Sequence, residues 1–166
     1  TADPTRSLGM PLGMTLSADT DGTGPGVAGG TVVFDSLAPL ATVTAAPVNI
    51  YYNPVSYAAA TDYSNKFTLT EGATLTEYML VFAAAGDKTF DGTTTTTLTG
   101  LKGNPPGVTL VAGSGSSANF DTAAAGVNKG ISFSGYTLAG SNAGAYALPL
   151  NCCGPVLAHT TGTIGA

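Results

Sequence analysis

Charged side chains are scarce in this chain of 166 residues. It has five Lys and Arg residues against ten Asp and Glu residues, for a net charge of -5. Charged residues make up 9% of the chain, whereas soluble domains carry about 25%. So few cations exclude the basic surface that nucleic-acid-binding proteins use. A freely diffusing cytosolic protein normally keeps a charged coat, so this composition favours an extracellular protein.

Groups for catalysis and metal binding are also scarce. The chain has one His, His159, two Cys and no Trp. It has no Gly-x-Ser-x-Gly nucleophile motif and no phosphate-binding loop. A run from Asp19 to Gly24 resembles the start of a calcium loop, but no terminal acid follows at the required spacing, so a polar linker is favoured. We therefore predict no catalytic residues, no cofactor and no metal site.

Long hydrophobic runs are missing as well. No stretch approaches the ~20 apolar residues of a transmembrane helix, so we expect no membrane span. The first residue is Thr1, and the chain does not open with a basic region and an apolar core. We expect the protein to be exported, with a signal peptide removed, to the cell surface or the extracellular space.

What the sequence has in abundance is typical of β-structure. It contains 23 Gly and 10 Pro, and runs of Val, Thr, Tyr and Phe lie between these turn residues from Thr31 onward. The candidate strands are Thr31–Leu37, Ala41–Tyr52, Lys66–Thr70, Thr74–Ala84, Thr93–Leu101, Val108–Ala112, Gly130–Leu138, Ala145–Leu150 and Val156–Ile164. Their spacing predicts one all-β domain over residues 31–166, an antiparallel sandwich of immunoglobulin-like or jelly-roll-like type.

The N-terminal segment, residues 1–17, has a regular alternation of its own. Small or polar residues separate five apolar side chains, which are those of Leu8, Met10, Leu12, Met14 and Leu16. This period of two indicates a strand with one buried face, and residues 18–30 form a Gly-rich linker behind it. We predict an extended donor strand that completes the β-sandwich of the next subunit by strand addition. The alternative is that the segment folds back onto its own domain.

The second half resembles a known family of repeats. Lys88-Thr-Phe-Asp-Gly-Thr-Thr94 is similar to the opening Lys-x-Tyr-Asp-Gly-Thr-Thr of YDG/MBG-type repeats. Phe120 with Gly126 and Lys129 fits the next landmark, and the run from Ile131 to Tyr146 fits the third. The resemblance covers about residues 80–164. It implies a β-module of bacterial surface proteins, including filamentous-haemagglutinin-like adhesins, with no catalytic residues.

Cys152 and Cys153 are adjacent. In an exported protein thiols tend to oxidise, so a vicinal or intersubunit disulfide is favoured over two buried free thiols. A bond between neighbours closes a small strained ring, and strain makes a disulfide easier to reduce.

Two functions follow from these observations. The first is a structural subunit of a pilus-like extracellular filament, in which identical subunits polymerise head to tail through the donor strand. The alternative is an adhesin or stalk domain that contacts a surface, a matrix or a glycan. A cluster of Tyr51, Tyr52 and Tyr57 would suit such a ligand site, and packing in the core explains it equally well.

Overall fold

The computed structural model describes residues 13–19, 24–26, 30–37, 39–149 and 158–166. This part of the chain consists of strands, turns and two short 3₁₀ turns, Ser64–Lys66 and Ala143–Ala145. The strands are β1 Met14–Ser17, β2 Ala41–Thr44, β3 Pro47–Tyr52, β4 Phe67–Thr70, β5 Thr74–Leu80, β6 Ala83–Ala85, β7 Lys88–Thr89, β8 Leu98–Leu101, β9 Thr109–Phe120, β10 Gly126–Ala139, β11 Tyr146–Ala147 and β12 Ala158–Gly165. The prediction of an all-β fold is confirmed.

The first half is a stack of coils. Strand β2 pairs in parallel with β4, and β3 pairs in parallel with β5. Each coil therefore contributes one strand to each of two neighbouring sheets, and the next coil repeats the path. The chain turns between the two sheets at Ala45 in the first coil and at Glu71 and Gly72 in the second, where φ is 53°, 53° and 82°. These left-handed conformations make the sharp corner that a run of β-region residues cannot make.

The predicted antiparallel sandwich is wrong for this half. The sheet β1-β3-β5-β11 and the pair β2-β4 are parallel throughout. A stretch expected to be one strand, Ala41–Tyr52, breaks at Ala45 and becomes two strands in different sheets. Because the chain completes a coil before it pairs with itself, equivalent strands run in the same direction, whereas a hairpin would reverse them.

The coils enclose the first of two hydrophobic cores. Alternate residues of β3, namely Val48, Ile50 and Tyr52, are completely buried, as the period of two along a strand requires. The buried members of this core are Val43, Ala46, Val48, Ile50, Tyr52, Tyr57, Tyr63, Phe67, Met79, Val81, Val108 and Tyr146.

The second half keeps the predicted antiparallel pairing in its main sheet. Strand β10 pairs antiparallel with β9 and with β12, and the short β7 joins β12 in parallel. The register between β9 and β10 shifts between Ser134 and Tyr136, beside Gly135 with φ 74°, which marks a β-bulge. One face of this sheet buries the second core, which consists of Ala83, Ala118, Phe120, Ile131, Phe133 and Ile164.

The N-terminal segment contacts the first coil. Strand β1 pairs in parallel with β3 of its own chain, from Met14 opposite Val48 to Ser17 opposite Tyr51. Beyond it, the buried side chain of Asn53 donates hydrogen bonds to Asp19 Oδ2 (2.6 Å) and to the carbonyl of Gly24 (2.9 Å). The described residues of the Gly-rich stretch are therefore hydrogen-bonded to the end of β3. Among the described residues, no helix has the length and apolar character needed to cross a bilayer.

Candidate functional site

A groove runs along the outer face of the parallel sheet. It has a volume of about 560 Å³ and lies between β3 and β5 on one side and the end of β10 with the chain after β11 on the other. Its lining residues are Ser17, Tyr51, Tyr78, Leu80, Thr137, Leu138, Ala147 and Leu148. This is within the range of about 300–1,000 Å³ that small-molecule sites occupy.

Two tyrosines form the aromatic wall of the groove. Tyr51 on β3 and Tyr78 on β5 are register partners, and each side chain is half-buried. Their rings stack almost parallel, with centroids 4.8 Å apart and planes inclined by 11°. This distance is the spacing of neighbouring strands, about 4.7–4.9 Å. The stack therefore arises because both coils carry a tyrosine at the same position.

The aromatic row ends at a small side chain. Ser17 on β1 is the register partner of Tyr51, on the opposite side of Tyr51 from Tyr78. Burial raises the pKa of Tyr51, and the neighbouring Tyr78 raises it further. The Tyr51 hydroxyl thus stays protonated at neutral pH. The described lining residues include no charged side chain, so this part of the groove offers apolar surface and neutral hydroxyl groups.

The predicted tyrosine cluster is divided between two environments. Tyr51 lines the groove, whereas Tyr52 and Tyr57 belong to the first core. The Tyr52 hydroxyl accepts a hydrogen bond from the Thr61 amide (2.8 Å), and the Tyr57 hydroxyl donates one to the Leu80 carbonyl (3.0 Å). Burial raises the pKa of Tyr57 strongly. These two rings support the coils and are not available to a ligand.

Tyr78 was not among the residues singled out from the sequence. A short repeat gives only part of the signal: Ala41-Thr-Val-Thr44 and Phe67-Thr-Leu-Thr70 open the two coils, and each is followed by tyrosine. Aligned without a gap, the two stretches place Tyr52 opposite Tyr78. The second coil has one more residue between its two strands, and this shift places Tyr51 opposite Tyr78 in the structure.

The predicted donor-strand residues are only partly described. Leu8, Met10 and Leu12 lie outside the described residues. Met14 is 39% exposed, and the half-buried Leu16 packs against the first core. Cys152 and Cys153 also lie outside the described residues. Among the residues that the structure describes, no three His, Cys, Asp or Glu side chains are grouped closely enough to hold a metal ion.

The Lys88–Thr94 motif forms a loop closed by its lysine. Lys88 Nζ donates to the carbonyls of Thr93 (3.0 Å) and Thr95 (2.8 Å) and contacts Asp91 Oδ1 at 2.8 Å. The same carboxylate oxygen accepts the Thr93 amide at 2.8 Å, and Gly92 has φ 77°, as a tight turn requires. The hydrogen bond from Lys88, followed by those from Thr93, lowers the pKa of Asp91 to about 2.

Replacing Lys88 should raise the pKa of Asp91. We expect the Lys88→Met variant to move it from about 2 toward its ordinary value of 3.8, as followed by carboxyl-carbon NMR during an acid titration. Because the folded-state pKa is lowered, ionised Asp91 stabilises the fold above about pH 4 and loses this effect as pH falls toward 2. Lys129→Met is the matched control and should leave Asp91 unchanged. An unaltered Asp91 titration in Lys88→Met would contradict the loop geometry.

The second landmark is held together in a similar way. Phe120 is buried at the end of β9. In the turn that follows, Lys129 Nζ contacts Asp121 Oδ1 at 3.2 Å and donates to Thr122 Oγ1 at 2.6 Å. The hydrogen bond from Lys129 lowers the pKa of Asp121. Lysine therefore closes a polar turn at both landmarks.

The third landmark connects the two halves of the structure. Ile131 and Phe133 are buried in the second core, whereas Tyr146 is buried in the first, with its ring edge-on to Tyr57 at 5.9 Å. Strand β11, which Tyr146 opens, pairs in parallel with β5 at Met79. This landmark thus attaches the second half to the last coil.

Comparison with known families agrees with these landmarks. Residues 74–152 match the family model described as YDG domain, so this part of the chain is similar to YDG domains. The match begins at β5 and so includes Tyr78, whereas Tyr51 precedes it. No curated protein and no solved structure matches the chain.

Proposed function

We propose that the chain is a structural β-module of an extracellular bacterial protein that is extended by strand addition at the end of its coil stack. The observation that carries this proposal is the parallel, in-register stack of coils. Each coil presents the same pattern of backbone donors and acceptors to the next, so a further strand continues the sheet without altering the fold.

The terminal strands suit this role. Strands β1 and β2 lie at the ends of their sheets in the strand orders β1-β3-β5-β11 and β2-β4. Their sequences, Met-Thr-Leu-Ser and Ala-Thr-Val-Thr, contain no charged residue. Proteins that avoid edge-to-edge association usually place lysine or another charge on such strands. These edges lack that protection.

The proposal has two versions, which differ in the origin of the added strand. In a filament, β1 of one subunit would pair with β3 of the next, so that identical subunits polymerise through residues 7–17. In an adhesin or stalk, β1 stays on its own β3 and the module is one segment of a longer surface protein. The similarity to YDG domains and the pairing of β1 with its own β3 favour the stalk version.

Disulfide trapping between β1 and β3 distinguishes the two versions. Thr15 and Asn49 are register partners, and adjacent strands lie about 4.8 Å apart, within the Cα separations that a disulfide bridges. In a background with Cys152→Ser and Cys153→Ser, we would prepare Thr15→Cys, Asn49→Cys and the double variant. Electrophoresis without reductant would follow oxidation.

A covalent dimer from the two mixed single variants would establish strand exchange between subunits, and a ladder of multimers from the double variant would establish a filament. A cross-link confined to single chains of the double variant is the result expected for the stalk module. Thr15→Cys with Thr42→Cys is the matched control, because β2 does not pair with β1. If neither mixture nor double variant cross-links above this control, the β1–β3 pairing and the proposed mode of extension are wrong.

A further inference from the structure

We propose that the groove beside Tyr51 and Tyr78 binds a neutral sugar ring. The module would then bind glycans in addition to its structural role. The proposal is based on the geometry of the aromatic row and on the apolar and hydroxyl-bearing residues that line the groove. It goes beyond the structural role and does not depend on how the chain is extended.

Among the residues that the structure describes, no aromatic side chain continues the row beyond Tyr51, and this position next to Tyr51 is called the vacant position. Along the outer face of the sheet the row reads Ser17, Tyr51, Tyr78, with one residue from each neighbouring strand. Tyr78 covers one face of the Tyr51 ring at 4.8 Å. The other face is turned toward β1, where serine is too small to continue the stack. A flat ring placed over Ser17 would extend the row at the same spacing.

A pyranose ring matches this position. Its C–H face is apolar and packs on an aromatic ring, while its hydroxyl groups project from the edge and require polar partners. Half of the described groove-lining residues carry a hydroxyl group, namely Ser17, Tyr51, Tyr78 and Thr137, and the other described ones are aliphatic. A few polar groups within an otherwise apolar groove are the usual means of orienting a ligand. A purely aliphatic ligand would leave these hydroxyl groups without partners.

The uncharged described lining of the groove favours a neutral ligand. None of the described residues that line it is a Lys, Arg or His that could pair with a carboxylate, sulfate or phosphate group, and the whole chain has five Lys and Arg. An acidic sugar would place its charge against apolar surface, which is costly without a partner. We therefore expect neutral hexoses or N-acetylhexosamines and discrimination against sialylated or phosphorylated glycans.

The test is an array of neutral, sialylated and phosphorylated oligosaccharides probed with the full chain, followed by calorimetric titration of the neutral oligosaccharide with the strongest signal. We expect Tyr51→Ala to weaken binding by at least tenfold, and Tyr51→Phe to keep most of it because the stacking ring remains. Ser17→Tyr should abolish binding, because its ring would occupy the vacant position. Phe90→Ala is the control, since Phe90 is an exposed aromatic residue (54%) outside the groove.

Circular dichroism and the thermal unfolding midpoint would verify that each variant is folded. Binding of acidic glycans alone, absence of binding to every oligosaccharide on the array, or equal loss in Phe90→Ala and Tyr51→Ala would overturn the proposal. So would binding of a tyrosine-containing peptide at this groove without any sugar. The Thr15–Asn49 cross-link reports on extension separately, so failure of one proposal is distinguishable from failure of the other.

Discussion

The Phe133→Ala variant is expected to lose about 3–5 kcal/mol of unfolding free energy, the usual cost of removing a buried aromatic ring. Phe133 is 2% exposed in the second core, and its ring packs edge-on against Tyr136 at 5.7 Å. That core is small, so little can move to fill the cavity. Single domains have only about 5–15 kcal/mol of stability in total. The loss should therefore be evident as a large drop in the urea midpoint.

Val127→Ala is the matched control for this prediction. Val127 lies on the same strand, β10, and is 73% exposed, so its truncation should change stability by no more than about 0.5 kcal/mol. Equal stabilities of the two variants would show that Phe133 is not a core residue. Circular dichroism and intrinsic tyrosine fluorescence should follow the same unfolding curve if the two cores unfold together. The two cores are linked in the structure by Leu148, which packs against both of them.

The Gly140→Ala variant should lose nearly as much unfolding free energy as Phe133→Ala, because the backbone at Gly140 does not accommodate a side chain. Gly140 belongs to the third landmark and has φ 121°, a conformation that L side chains rarely adopt. A Cβ at this position would overlap the carbonyl oxygen of Gly107 and would lie 3.2 Å from Cα of Val108. Both neighbours are backbone atoms and cannot rotate away. We expect a loss of about 2–4 kcal/mol from strain and overpacking together, measured by urea unfolding.

Gly144→Ala is a control within the same landmark. A Cβ at Gly144 would meet nothing within 4 Å, so its replacement should leave the unfolding free energy almost unchanged. A Gly140→Ala variant as stable as Gly144→Ala would mean that the chain at Gly140 does not pass as close to Gly107 as the structure has it.

The parts of the fold that were predictable rest on local chemistry. The all-β composition follows from strand-forming residues between turn residues, and the antiparallel pairing of β9, β10 and β12 agrees with the expected sheet. The Lys88 loop is equally local, because its lysine reaches no farther along the chain than Thr95, although the closing contacts of Lys88 were found only in the structure. Such features involve residues close together in the sequence, so the sequence alone can indicate them.

The groove could not be predicted in the same way. The sequence indicates Tyr51 only as part of a tyrosine cluster, but Tyr52 faces the core and Tyr51 faces outward, as alternation along β3 requires. Which face of β3 became buried depended on the direction in which the coils turn. The stacking partner, Tyr78, is on another strand, and only the register between β3 and β5 brings the rings together. An ungapped alignment of the two coils pairs Tyr78 with Tyr52, because the extra residue at the corner of the second coil is not evident from the sequence.

The sequence by itself determined that this protein consists of strands rich in β-branched and aromatic residues, separated by Gly- and Pro-containing turns, and it located the YDG-like landmarks. Only the tertiary structure decided that the first half runs as parallel coils. A strand has the same period of two whether its partner is parallel or antiparallel, so the pattern contains no information about direction. The direction depends instead on corners such as Ala45 and on the return path between coils. The parallel arrangement of the coils places Tyr51 against Tyr78 and forms the groove beside them.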